Sequence, residues 1–164
     1  MSYKSNISAY IQAYLLWLVS FLLGALLLYR LRETLLMGMV VAGSNSQQLT
    51  ESELFYSSLR ARAADQWLLF AAGFVLIVLI VWFEHFYRTA VPIRRLWPRF
   101  FLITAIEVGV IFLADALTAA LQNSLGVSAA GYITLLFSEI VIALAMLALW
   151  LRSRTDADAN PATG

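Results

Sequence analysis

The chain has 164 residues, 62% of them hydrophobic and only 13% charged, with a formal net charge of +1. That composition lies outside the soluble globular range, allows one membrane domain over 1–154 but no second soluble domain, and lacks the basic stripe that nucleic acid requires. Cysteine is absent and histidine occurs once, as His85, which excludes disulfides, thiolate metal sites, His-rich metal sites and an intrachain bis-histidine haem.

Four stretches approach the ~20 apolar residues that a helix needs to cross a bilayer, at about 8–29, 67–87, 100–121 and 130–151. Backbone groups in lipid must be satisfied internally, so each of these stretches is expected to be helical. The predicted class is an all-α integral membrane protein, a four-transmembrane-helix bundle with an extended outer helical hairpin between helices 1 and 2. The first span is expected to remain as an anchor, because Arg30-Leu31-Arg32-Glu33 follows it where a cleavable leader would carry small residues.

The segment after the first span does not read as a loop. Residues 34–42 are apolar and free of proline, so the first helix can continue past Glu33. On the return side Thr50 and Glu53 match a capping box, and Leu54, Phe55 and Leu59 recur at helical spacing towards Trp67. Two continuous helices of about 35 residues would be roughly 50 Å long against a ~30 Å core, so a hairpin over 30–66 is expected to project roughly 20 Å. Leu35, Leu36 and Met39 on one helix and Phe55 and Leu59 on the other are its expected partner-docking residues. The alternative is a short interfacial helix over 34–43, lying along the membrane surface.

The second span ends in Glu84-His85, an interfacial pair on different helix faces. Pro92 and Pro98 bracket Arg94-Arg95 and are expected to keep that connection short. The third span carries Glu107 and Asp115, an uncharged turn covers 122–129, and the fourth span carries Glu139. Residues 155–164 are polar and small, and are expected to form a disordered cytoplasmic tail. With four spans, Lys4, Arg88, Arg94, Arg95, Arg99, Arg152 and Arg154 share one side, against Arg30, Arg32, Arg60 and Arg62 on the other. The positive-inside rule then places both termini in the cytoplasm.

Glu107, Asp115 and Glu139 are the principal chemical clue, because carboxylates are costly in hydrocarbon and face a bundle interior, a cavity or a partner. Asp115 and Glu139 fall at similar depth on consecutive antiparallel helices, and Glu107 lies eight residues before Asp115, near the same face. Facing carboxyls must share a proton, bind a cation or find an arginine. Arg30 and Arg32 sit at the outer surface, from which they reach inward only by snorkelling. Two readings follow: a proton or cation site, or interhelix hydrogen bonds and contacts with a basic group on another subunit.

No phosphate loop, nucleotide fingerprint, serine elbow or metalloprotease helix is present, and no cofactor or metal site is expected. The leading expectation is a non-enzymatic integral membrane subunit of a larger complex, embedded in the lipid bilayer and contributing helix packing and the docking hairpin to other membrane subunits. The alternative is a small proton- or cation-coupled transporter or channel built on the intramembrane carboxylates.

Overall fold

Apolar runs without internal proline leave the backbone only its own carbonyls as hydrogen-bond partners in lipid, and four long helices result. The computed structural model describes the backbone of residues 3–44, 51–91, 95–128 and 130–159, and the side chains of 7–42, 59–91, 95–128 and 130–155. Its helices are α1 (Tyr3–Ser44), α2 (Glu51–Arg88), α3 (Leu96–Ser124) and α4 (Ala130–Ala159). Each contains a segment long and apolar enough to cross a membrane: Ile7–Ala42, Leu59–Arg88, Leu96–Ser124 and Ala130–Thr155.

The helices outrun the expected spans at most of their ends. α1 is one continuous helix through 34–43, with no separate interfacial helix, and α2 is already helical at Glu51. Thr50 and the hairpin tip at 45–50 lie outside the described residues, as does the side chain of Phe55. α4 continues through 155–159, the first residues assigned to the tail, where the Thr155 hydroxyl donates to the Leu151 and Arg152 carbonyls and no proline intervenes. Residues 160–164 lie outside the described residues. The α3–α4 turn is closed by Gly126 at φ 74°, with Val127 N–H bonded to the Gln122 carbonyl and Gly126 N–H to that of Asn123. This is the Schellman arrangement, in which a left-handed residue just past the helix satisfies its last carbonyls.

The main packing pairs are α1 with α2, α1 with α3, and α3 with α4. α1 and α3 therefore lie centrally, while α2 and α4 flank them without comparable packing on each other. α3 is the most buried helix. The flanks present Phe70, Phe74 and Ile77 on α2 and Ile133, Phe137 and Leu144 on α4, apolar surface suited to lipid. A small core of Ala13, Phe83, Tyr87, Ala90, Leu96, Phe100 and Ile103 closes the end where α2 turns into α3.

α1 and α3 run parallel. Gly24 lies beside Glu107, the Thr34 hydroxyl bonds Ala114 and Thr118, and Gly38 lies beside Leu121. The part of α1 expected to stand clear of the other helices thus packs along α3 as far as Gly38. Arg32 ties α1 to α2 through Asp65, its Nε donating to Oδ1 at 2.7 Å.

Candidate functional site

Apolar side chains gain nothing by leaving lipid for each other, so helices in a membrane associate through close packing and interhelical hydrogen bonds. α1 supplies both. Ala13, Ser20, Gly24, Thr34 and Gly38 fall on one face of the helix, and this face meets α2 and α3. The tightest approach is at Gly24, where an added Cβ would lie 3.4 Å from Glu107 Oε1, 3.6 Å from Leu79 Cδ1 and 3.6 Å from Phe83 Cε2. A single methyl there would make ordinary van der Waals contact, whereas a branched side chain would intrude on all three neighbours. By contrast Gly109 on α3 has open space where its Cβ would be.

The polar groups form two tiers along the α1–α3 seam. In the first, Asp115 is 2% exposed, and its Oδ1 lies 3.7 Å from Arg30 Nη1. The same Arg30 nitrogen lies 3.7 Å from Glu33 Oε2. Glu139 on α4 neighbours Asp115. Thr34 and Thr118 hydroxyls are 2.8 Å apart just beyond, and each donates to a backbone carbonyl. Arg30 Nε, Asp115 Oδ2 and Glu139 Oε2 are buried without a hydrogen-bond partner among the described residues.

The second tier lies two helical turns along, roughly 12 Å away on the same face of α3. Glu107 is 5% exposed, and neither of its carboxyl oxygens has a partner among the described residues. Thr104 Oγ1, one turn back, is equally unpartnered. Beside them the Ser20 and Tyr87 hydroxyls, both fully buried, are 2.7 Å apart and join α1 to α2.

The structure brings Asp115 and Glu139 together and sets Glu107 apart, on the seam with α1 and α2. It also decides which of the outer arginines reaches inward. Arg30 is placed by the α1–α3 register beside Asp115, and it reaches Asp115 from one turn before Thr34. Of the hairpin residues whose side chains are described, Leu35 (51%), Met39 (46%) and Leu59 (44%) are exposed and Leu36 is half-buried. Thr134, Ser138, Glu84 and His85 are exposed and outside the seam. Ser20, Gly24 and Thr34 are the seam residues missed in the sequence. Their signal is that all three fall on one face of α1 at about 100° per residue.

Chemically, the first tier sets one guanidinium, Arg30, between Asp115 and Glu33, with Glu139 next to Asp115. Neighbouring carboxyls in a low dielectric share a proton or take up a cation, and Arg30 is the cation the chain places beside them. Among the described residues no three acidic or histidine side chains converge on one point. The chain matches no family model, no curated protein and no solved structure.

Proposed function

We propose that this is a multi-pass membrane protein that handles protons inside the bilayer, as a small proton-linked transporter or channel. In this reading Asp115 and Glu139 are the loading pair, Arg30 is their counter-ion, and Glu107 is the next carboxyl along the path. The role is not enzymatic, and both termini face the cytoplasm, in keeping with the seven cations gathered at that side.

The observation that carries the proposal is the burial of Glu107 and Asp115 on the inward face of α3. Ionisable side chains in membrane spans are expensive and mark ion or proton paths where they face the interior. Glu107 and Asp115 both turn towards α1, and Asp115 finds its cation within the chain. A subunit whose acids await a basic partner has less need of one once Arg30 is in place. The test is proteoliposome flux with an internal pH dye under an imposed potential. Proton movement is expected for the wild-type chain and its loss in the Asp115→Asn, Glu139→Gln double variant at equal reconstitution. Flux retained in that variant would refute the proposal.

A complex subunit is the second reading, supported by Leu35, Met39, Val40 and Leu59, which are exposed towards the α1–α2 turn. Native mass spectrometry of the particle from its own membrane tests it. A stoichiometric second protein, released by Leu36→Gln with Leu59→Gln, is the expected result, and a chain that always emerges alone counts against it.

A further inference from the structure

At the end of the molecule opposite the α1–α2 turn, α3 begins and the spanning part of α4 ends. An open cleft of ≈ 320 Å³ lies between them. Arg95, Arg99 and Arg154 line it with Ser153, and Leu102 and Trp150 form its wall towards the spans. The guanidiniums are held there by their neighbours. Arg99 Nη1 donates to the Phe86 carbonyl at 2.6 Å and to Thr89 Oγ1 at 2.8 Å, with its Cζ 4.6 Å from the Phe86 ring centroid. Arg154 lies over the Trp150 ring at 5.2 Å.

None of the three is neutralised within the described chain, where the ion pairs are Arg30 with Glu33 and Asp115, and Arg32 with Asp65. Arg99 keeps its Nε–H and both Nη2 hydrogens uncommitted among the described residues. Like charges gathered in one cleft repel, and an anion placed among them removes that cost. The planar guanidinium fork matches phosphate oxygens better than a point charge does. A free phosphate offers the same oxygens as a lipid headgroup. The apolar wall decides between them: Leu102 and Trp150 lie within the segments of α3 and α4 long and apolar enough to cross a membrane, so an acyl chain could lie beside them, and a basic recess between helix ends is the form that anionic-lipid sites take.

We infer that this cleft binds the phosphodiester headgroup of an anionic phospholipid, with Arg95, Arg99 and Arg154 around the phosphate and an acyl chain against Leu102. Arg99 also holds the end of α2 and is left intact in the test. The purified full chain in a neutral detergent is titrated with phosphatidylglycerol, phosphatidylcholine or inorganic phosphate, and adducts are counted by native mass spectrometry. One phosphatidylglycerol per chain is expected, bound at least ~10-fold more tightly than phosphatidylcholine. Arg95→Gln with Arg154→Gln should weaken it about 10- to 30-fold, while Arg60→Gln with Arg62→Gln, which removes the same charge at the other end, should change it less than ~2-fold. Equal binding of the two lipids, or equal loss in the two double variants, would overturn the inference. Inorganic phosphate displacing the lipid at similar concentration would overturn it in favour of a soluble ligand. The wild-type lipid comparison decides the matter even if a variant fails to fold.

Discussion

Removing Arg30 should expose how far the two carboxyls of the first tier depend on it. At 3.7 Å from Asp115 Oδ1, the guanidinium gains about 4 kcal/mol of gross attraction at an effective dielectric near 20. Much of this is cancelled by desolvation, by the quarter of the Arg30 side chain that is exposed, and by the competing Glu33 at the same distance. A net coupling of about 1–2 kcal/mol remains, so Arg30→Ala should cost about 2–3 kcal/mol, because Asp115 is then buried without a cation. Asp115→Asn should cost less, about 1 kcal/mol, since the amide keeps a polar contact and Arg30 retains Glu33. The double variant should fall about 1–2 kcal/mol short of the sum. Reversible unfolding in mixed micelles of rising SDS fraction, followed by circular dichroism, measures all four states of this cycle. Additivity to within about 0.5 kcal/mol would refute the pair as an energetic contact.

Two further substitutions test the seam. Gly24→Val should destabilise by about 1–3 kcal/mol in the same SDS titration, because its methyl groups enter space shared by Glu107, Leu79 and Phe83. Gly24→Ala should be close to neutral, as a contact at 3.4 Å offsets the better helix propensity, and equal stability of the two variants would show that the helices part easily there. Ser20→Ala and Tyr87→Phe should each cost about 0.5–1.5 kcal/mol, and the double variant less than their sum, because both remove the same 2.7 Å bond. Strict additivity in that cycle would mean the bond contributes nothing.

Hydropathy along the chain was sufficient to identify four apolar helices, since span length and backbone satisfaction are local properties of each segment. For residues 34–43 the absence of proline and the apolar run left two courses open, a continuation of α1 or an interfacial helix, and the structure shows the continuation. The shared depth of Asp115 and Glu139 was legible, since it depends only on counting residues from a short turn. Which face of α1 meets α3, and at what height, was decided by the tertiary structure alone. The pairing of Arg30 with Asp115, the placing of Glu107 over Gly24 and the packing of Thr34 and Gly38 against α3 all follow from that one register. A register belongs to two helices jointly. It is set by where their small residues allow close approach and where their hydroxyls and charges find partners, and neither helix carries that information alone.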